Sequence, residues 1–454
     1  MTAAPPQPTL PGTLELGDRR IACRLTRASK LSLAVELNEP GVREGTTFDR
    51  LTVQLPDREA VLSRCRLEHG QLVFVDDVYD CDSLFKVGRV SNLLGFMHEL
   101  PLVLAQRERI NPTFRDYMAD LLYDMSVYKK FFDEQDRVLA RETPQVAAAA
   151  QVVLLTRAGG EFFKFLDKKL AELGELVKNF TPEEHERHGY YFRRAMWPYI
   201  MAAAFMQRTN LKPRGYAGDA VMMEMLYDNK FVGRYAFNKL LHKHPVEHAA
   251  AQAVRNRRVL VPRMMREALS AAGAKAPFAI LSVACGPARE LQDFFVTDED
   301  YQRLEVTLLD QDEEALAAAR MMIDVLGQKK SRPLTVKWVN DSVRTLLRTR
   351  DLAGRLGRFD FIYTMGMFDY LTPPVAKALL AKLYDLLQPR GMIVVGNYHA
   401  SNPSRYYMAY WLDWVLYYRT EAEMLELTAP LPGARSTISY DESGSQMFLK
   451  VERT

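Results

Sequence analysis

The chain contains 454 residues, of which 48% are hydrophobic and 26% are charged, a balance typical of a globular protein with room for two or three domains. The formal net charge of +3 is small for this length and predicts neither a nucleic-acid nor a membrane-surface partner. The four cysteines include no CxxC pair, which argues against a disulfide framework or a zinc site and fits a reducing compartment.

The chain begins with a proline-rich stretch, and we predict that residues 1–12 form a disordered tail. This start lacks the basic and apolar regions of a signal peptide. No uninterrupted apolar run approaches the roughly 18 residues that a membrane helix needs. The sequence therefore predicts a cytoplasmic protein without an integral membrane segment.

Residues 13–82 are predicted to form a small β-barrel or sandwich, because short apolar runs at 31–37, 51–55 and 72–75 alternate with turn residues. Residues 83–270 are predicted to be helical. Apolar side chains there recur every three or four residues, from Phe114 to Met125 and from Phe162 to Leu173. Thr181, followed by a proline and two acids, is typical of a helix start.

Residues 271–454 alternate between strands and helices, the pattern of an α/β fold with a doubly wound, Rossmann-like parallel sheet. We predict five parallel strands, at 278–284, 304–309, 334–339, 359–364 and 391–397. A terminal hairpin at 434–440 and 445–451 completes the predicted sheet.

The first of these strands leads into Ala284, Cys285 and Gly286, and a tight strand–helix turn of this kind presents backbone N–H groups to a ligand. An ordinary turn is the alternative. Asp310 ends the second strand 24 residues after Gly286, near the spacing of about 20 residues for an acid that binds ribose hydroxyls. A solvated strand end is the alternative there.

The third and fourth strands also end in candidate site residues. Asn340 and Asp341 are placed to accept from an adenine amino group, although Asp341 or Ser342 would also suit a helix N-cap. Met365 and Gly366 are expected to line the cleft between a cofactor and its acceptor.

The order of these motifs, ending in the run Leu386-Leu387-Gln388-Pro389-Arg390-Gly391, resembles class I S-adenosylmethionine-dependent methyltransferases over residues 271–454. The family's three loop glycines correspond to Ala284, Gly286 and Ala288, so only the central glycine is present. The resemblance implies S-adenosyl-L-methionine as cofactor, held by Ala284, Cys285, Gly286, Asp310, Gln311, Asn340, Asp341, Met365 and Gly366.

A narrower resemblance rests on segments 212–219, 244–245, 251–258, 397–399, 402–405 and 414–420. These are similar to a bacterial group that makes 3-hydroxypalmitate methyl ester. That resemblance implies carboxyl O-methylation of an acidic, fatty-acid-like acceptor. The substrate-binding candidates are Arg214, Asn397, Arg405 and Trp411, and the catalytic candidates are Tyr216, Tyr398 and His399.

A carboxylate acceptor is already ionised at neutral pH and needs no strong base. For a hydroxyl or amine acceptor, His399 would be the best-placed base, and a structural histidine is the alternative. The 215–219 segment, with two glycines around an aromatic residue, suits either a lid or an ordinary interhelix turn.

Three further residue sets, one aromatic, one of histidines and one of arginines, each allow two interpretations. An aromatic stripe at helical spacing favours core packing or a homodimer contact, with an apolar acceptor pocket as the alternative. Three histidines invite a metal site, but Pro245 interrupts their stretch and no carboxylate partner is evident, so no metal is predicted. Five arginines suit a solvated helix face or an anion contact. The three sets are Tyr407, Trp411, Trp414 and Tyr418; His242, His244 and His248; and Arg255, Arg257, Arg258, Arg263 and Arg266.

Arg20 and Arg24 have the RxxxR spacing of PilZ domains, which bind cyclic di-GMP. The second PilZ element, Asp/Asn-x-Ser-x-x-Gly, is missing from the following strand, so the front segment resembles a degenerate PilZ-like domain and cyclic di-GMP is an unlikely ligand. Two alternatives to a lipid-acid enzyme follow. One is a regulatory or cyclic-dinucleotide-responsive protein with a degenerate methyltransferase fold, and the other is an N- or O-methyltransferase of a small non-lipid metabolite.

Overall fold

The computed structural model describes residues 9–27, 32–37, 41–55, 59–68, 70–75, 81, 104, 107–273, 277–295, 298–330 and 334–454. The chain divides into two compact units, Met1–Pro112 with Leu211–Tyr216, and Thr113–Asn210 with Ala217–Thr454. The helical segment and the C-terminal sheet, which the sequence separates at residue 270, therefore belong largely to one unit. Of the predicted tail 1–12, residues 1–8 lie outside the described part, and a strand begins at Leu10.

The first unit contains an antiparallel sheet in the order β4-β7-β8-β3-β2-β1-β5-β6. Its apolar side chains alternate, so that Leu14, Ile21 and Leu25 are fully buried on one face. Within the described residues the two-residue β4 and the short β6 end the sheet without pairing to each other. A closed barrel is therefore not seen within these residues, because closure requires paired edge strands. The strands are β1 Leu10–Leu16, β2 Arg19–Arg27, β3 Ser32–Leu37, β4 Thr47–Phe48, β5 Arg50–Gln54, β6 Glu59–Leu62, β7 Cys65–Glu68 and β8 Gln71–Phe74.

The second unit begins with helices whose apolar spacing the sequence shows. Phe114, Met118, Leu121 and Met125 are buried along the first of them. Thr181 forms the predicted N-cap, in a capping box with Glu184. These helices are α1 Pro112–Leu139, α2 Pro144–Val153, α3 Gly159–Val177, α4 Pro182–Ile200, α5 Ala204–Leu211, α6 Ala220–Asp228, α7 Ala236–Glu247 and α8 Ala249–Ala271, with a π-turn at Leu154–Ala158. A 3₁₀ turn at Arg107–Arg109 precedes them in the chain and belongs to the first unit.

The helical run Pro144–Val177 is long and apolar enough, by length and composition, to cross a membrane. The sequence, in contrast, predicts no such segment. A single helix of this kind is weak evidence for a span, because core helices of other proteins meet the same criteria. The absence of a membrane segment therefore stays a prediction.

The C-terminal sheet has the order β11-β10-β9-β12-β13-β15-β14. Its first five strands are parallel, and β15 pairs antiparallel with both β13 and β14. All predicted strands are present, and β13 begins four residues before the predicted Gly391. The strands are β9 Phe278–Val283, β10 Leu304–Asp310, β11 Thr335–Asn340, β12 Phe359–Met365, β13 Leu387–Tyr398, β14 Ala434–Tyr440 and β15 Gln446–Arg453.

Helices cover both faces of this sheet. Apolar residues of α8, α9 and α11 form one buried cluster with it, and those of α12, α13 and α14 form another. The strand order reverses between β9 and β12, which places a cleft beside the carboxyl ends of these strands. The helices are α9 Glu290–Phe294, α10 Asp298–Arg303, α11 Glu313–Lys330, α12 Val343–Arg348, α13 Leu352–Leu356, α14 Pro373–Tyr384, α15 Arg405–Trp411 and α16 Glu421–Glu426, with a 3₁₀ turn at Phe368–Tyr370.

Candidate cofactor and acceptor site

The turn after β9 and the acid at the end of β10 meet directly. The backbone N–H of Gly286 donates to Oδ2 of Asp310 at 2.8 Å, and the N–H of Cys285 donates to the carbonyl of Leu309 at 3.1 Å. The two residues that the sequence pairs by spacing therefore lie on neighbouring strand ends, at the point where the strand order reverses.

The turn is left-handed at all three positions that correspond to the family's loop glycines, although two of them hold alanine. Ala284, Gly286 and Ala288 all have left-handed φ angles, of 55°, 53° and 49°. This conformation costs an L-residue roughly 1–2 kcal/mol, so the loop holds strain at both alanines. A Cβ added to Gly286 would meet nothing within 4 Å, so open space lies beside this point of the loop.

Asp310 is buried and accepts a second backbone hydrogen bond, from Asp312 at 2.9 Å. Burial raises the pKa of the Asp310 carboxyl, and the amides of Asp312 and Gly286 oppose that rise. A carboxylate offers about four lone-pair sites, so two amides leave capacity for ribose hydroxyls. Gln311 follows it and is exposed.

The end of β11 is hydrogen-bonded to the end of β10. The Asn340 side chain donates to the backbone oxygens of Asp310 and Gln311, at 3.2 and 3.1 Å. Asp341 forms an ion pair with Arg355, and Ser342 rather than Asp341 caps α12. Contact of Asn340 or Asp341 with adenine stays a prediction.

Gly366 follows Met365 at the end of β12 and has a φ of 96°. A Cβ at Gly366 would lie 3.2 Å from Nη1 of Arg257 and 3.7 Å from Oδ2 of Asp369. Asp369 is buried, and its Oδ1 accepts from the backbone N–H of Tyr398 at 2.7 Å. Burial raises the pKa of the Asp369 carboxyl from 3.8 to about 7.

The side chains at the end of β13 are largely engaged within the protein. The Tyr398 hydroxyl is buried and donates to the carbonyl of Ala250 at 2.8 Å. Nδ1 of the half-buried His399 lies 2.6 Å from the hydroxyl of Ser401. The Asn397 amide donates to two backbone carbonyls and accepts from Arg419. These bonds favour structural roles, and catalytic or acceptor contacts stay predictions.

The remaining acceptor candidates are dispersed. Arg405 is exposed and lies over the Tyr418 ring at 5.2 Å, whereas Trp411 is buried against Phe192. Arg214 and Tyr216 belong to the segment that groups with the first unit, so their contact with an acceptor stays a prediction.

The aromatic stripe does not share one helix face. Helix α15 ends at Trp411, and Asp413 has a left-handed φ of 48°. Trp414 and Tyr418 therefore lie beyond the helix, and the prediction of a single helical stripe is wrong. Tyr407, Trp411 and Trp414 are nevertheless buried, and Tyr418 is half-buried.

An apolar cavity that the sequence analysis did not predict lies beside Tyr398. His248 and Ser404 are among its lining residues, and their side chains are 2.5 Å apart. Burial lowers the pKa of His248 to about 4, so its imidazole is neutral at neutral pH. The cavity is lined by Phe205, Leu226, Pro245, His248, Ala250, Ala251, Tyr398, Ser404, Tyr407, Met408, Leu412 and Trp414.

The histidines near this cavity have protein partners. His244 lies 2.8 Å from the Tyr407 hydroxyl and 3.0 Å from Oδ1 of Asp167. Pro245 does not interrupt their stretch as predicted, because α7 continues through it to Glu247. The described part of the chain contains no group of three His, Cys, Asp or Glu side chains that could hold a metal.

The sheet order, the left-handed loop and the neighbouring Asp310 together define a Rossmann-like methyltransferase fold in the C-terminal part of the chain. Residues 280–391 match the family model described as a methyltransferase domain. The cofactor of this class is S-adenosyl-L-methionine, as the resemblance of the sequence to these methyltransferases implies. No curated protein matches the chain.

Solved structures show distant likenesses. A possible exported protein from Bordetella parapertussis aligns with 65% of this chain and 97% of its own, at 15% identity and a TM-score of 0.44. Magnesium protoporphyrin IX methyltransferase from Synechocystis PCC 6803, with bound S-adenosylmethionine, covers 45% of this chain and 83% of its own, at 11% identity and a TM-score of 0.33. The N-methyltransferase NodS from Bradyrhizobium japonicum WM9, in complex with S-adenosylhomocysteine, covers 44% and 87%, at 14% identity and a TM-score of 0.31. None of these likenesses reaches a TM-score of 0.5, so none decides the activity.

Proposed function

We propose that this protein transfers a methyl group from S-adenosyl-L-methionine to the carboxylate of an apolar, fatty-acid-like acid. The observation that carries the proposal is the hydrogen bond from Gly286 to Asp310 at the reversal point of the sheet. It lies in a segment that matches a methyltransferase domain.

Bound S-adenosylmethionine supplies an electrophilic methyl group, which ends on the acceptor oxygen as a methyl ester while S-adenosylhomocysteine leaves. The protein then has to hold the carboxylate in a dry cleft, and it need not remove a proton. The engagement of His399 by Ser401 and of Tyr398 by Ala250 is consistent with a reaction that uses no general base.

The apolar lining of the cavity beside Tyr398 favours an acceptor with a hydrocarbon chain. The chain would enter by widening the cavity, because its present free space admits about one water molecule. The neutral His248–Ser404 pair keeps this cavity free of charge near neutral pH. The likeness of segments such as 212–219 to the 3-hydroxypalmitate methyl ester group points to the same class of acceptor.

A hydroxyl or amine acceptor on a small metabolite is the second candidate. Asp369 favours it, because a buried carboxyl with a pKa of about 7 next to Gly366 could accept a proton during transfer. The proton acceptor would then be Asp369 rather than His399.

For the first unit we propose a degenerate PilZ-like module that acts in docking or regulation. Arg20 and Arg24 are exposed on β2, four residues apart on the same face. Their exposure supports a surface role, and the missing second element argues against cyclic di-GMP as the ligand.

Two measurements on the whole chain test these candidate functions. Calorimetric titration should show micromolar binding of S-adenosylhomocysteine, and no heat would contradict the methyltransferase proposal and favour the regulatory alternative. Incubation with methyl-labelled cofactor and a bacterial lipid extract should then give label that mild alkali releases as methanol. Alkali-stable label would favour the hydroxyl or amine acceptor, because ethers and methylamines resist base.

A further inference from the structure

We propose that Arg257 is the receptor for the acceptor's carboxylate, with the acceptor's chain lying in the cavity beside Tyr398. This inference rests on the proposed function and assigns the acid-binding residue of that site. It gives a specific role to one arginine of the stretch 255–266, which by sequence alone suits a solvated helix face.

Arg257 differs from the other arginines of α8 in its burial. Its side chain is 8% exposed, whereas Arg263 on the same helix is exposed. Its neighbour Arg258 pairs with Asp293 at the surface, at 2.8 Å. Of Arg257, Arg258 and Arg263, only Arg257 is buried in the interior of the second unit.

The contacts of the Arg257 guanidinium leave its charge without a close counter-ion. It donates to Sδ of Met223 at 3.5 Å, and Tyr227 is an electrostatic neighbour. Among the described residues no Asp or Glu oxygen lies within the 4.0 Å of an ion pair. A thioether is a weak acceptor, and a buried charge without a bound partner is costly.

The surroundings nevertheless keep this arginine charged. Burial by itself lowers the pKa of Arg257, but the nearby Tyr227, Tyr398 and Asp369 more than offset that effect, so the pKa is raised overall. A permanently charged planar fork in a dry site is the group that best recognises a carboxylate through two parallel hydrogen bonds.

Arg257 lies between the strand end at Gly366 and the apolar cavity beside Tyr398. Nη1 lies 3.2 Å from the place that a Cβ of Gly366 would occupy, at the strand end that borders the cofactor cleft. Tyr398 is an electrostatic neighbour of Arg257 and also lines the apolar cavity. A carboxylate at Arg257 would therefore lie between the methyl donor and a pocket for the hydrocarbon chain.

The test compares an acid with its uncharged isostere on the full-length protein with S-adenosylhomocysteine present. Calorimetry measures the affinities for dodecanoate and dodecanamide in the wild type, Arg257→Gln, Arg257→Lys and the exposed control Arg263→Gln. We expect the wild type and the control to prefer the acid by about 10- to 100-fold, the range for a charge-assisted pair. Arg257→Gln should abolish this preference while its affinity for S-adenosylhomocysteine stays unchanged.

A merely structural role would leave the ratio of acid to amide affinity unchanged in Arg257→Gln, and that result overturns the inference. If this variant does not fold, Arg257→Lys decides. Its ammonium cannot form the fork, so a fully retained acid preference also overturns the inference. Wild-type protein that binds S-adenosylhomocysteine but not dodecanoate contradicts the assignment of Arg257 alone. Protein that binds neither contradicts the proposed function itself.

Discussion

Arg289 and Glu224 form a two-point ion pair. Nε of Arg289 lies 2.8 Å from Oε1 of Glu224, and Nη2 contacts Oε2. Arg289 ends the turn that contains Gly286, and Glu224 lies in α6, so the pair ties this helix to the cofactor loop. Asp219 caps α6 from a fully buried position. Gly218 approaches Tyr370 so closely that a Cβ there would lie 2.7 Å from the hydroxyl.

Loss of the ion pair between Arg289 and Glu224 should speed the release of the cofactor. Because both partners are about one-third exposed, the pair contributes about 1 kcal/mol at most. Glu224→Gln should therefore raise the dissociation rate of S-adenosylhomocysteine by about 3- to 5-fold. Stopped-flow tryptophan fluorescence measures this rate. Glu175→Gln, which removes an exposed pair with Lys178, serves as control, and equal rates in the two variants would show that α6 does not retain the cofactor.

Asp310→Ala should weaken binding of S-adenosylhomocysteine by about 10- to 100-fold, the range for a lost hydrogen bond to a charged group. It should also lower the melting temperature, because the amides of Gly286 and Asp312 lose their acceptor. Calorimetric titration and thermal unfolding measure the two effects. Asp324→Ala, on the exposed side of α11, should change neither, and unchanged affinity in Asp310→Ala would refute the ribose contact.

The left-handed alanines predict a stabilising substitution. Ala284→Gly removes the steric cost of a φ of 55°, and the gain is reduced by the greater freedom of glycine in the unfolded chain. We expect the free energy of unfolding to rise by about 0.5–1 kcal/mol in chemical denaturation.

Ala381→Gly in α14 is the matched control, since glycine in a helix interior should lower the free energy of unfolding by about 1 kcal/mol. Destabilisation by both substitutions would mean that the loop at Ala284 is not strained in solution.

Asp369 should make stability depend on pH. Burial raises its folded pKa from 3.8 to about 7, so the folded protein binds the proton more tightly than the unfolded chain. The resulting stabilisation is complete below about pH 4 and disappears as the pH rises through about 7.

Asp369→Asn keeps the acceptor for the Tyr398 amide but cannot titrate. The fall in unfolding free energy between pH 4.5 and 7 should therefore be shallower in this variant than in the wild type. Denaturant titrations across that range measure the slope, with the exposed Asp324→Asn as control. Parallel curves for Asp369→Asn and the wild type would exclude the raised pKa.

Much of the C-terminal domain is readable from local pattern. The strands β9 to β12 lie within a residue of their predicted bounds, because continuous apolar runs between turn residues specify buried parallel strands without reference to the rest of the chain. The pairing of Gly286 with Asp310 follows in the same way, since a strand–helix–strand unit sets the spacing between successive strand ends.

Other features depend on contacts between distant segments. Arg257 and Arg263 belong to one basic stretch, and only the packing of α8 against Gly366 and Tyr227 buries the first and leaves the second in solvent. The left-handed backbone at Ala284 and Ala288 contradicts the usual preference of alanine, because the hydrogen bond from Gly286 to Asp310 and the packing of the turn outweigh it. Apolar periodicity and motif spacing indicate the secondary structure that each segment favours by itself. The burial of a charge, the end of α15 at Trp411 and the unpaired edges of the first sheet depend on which segments finally share a surface.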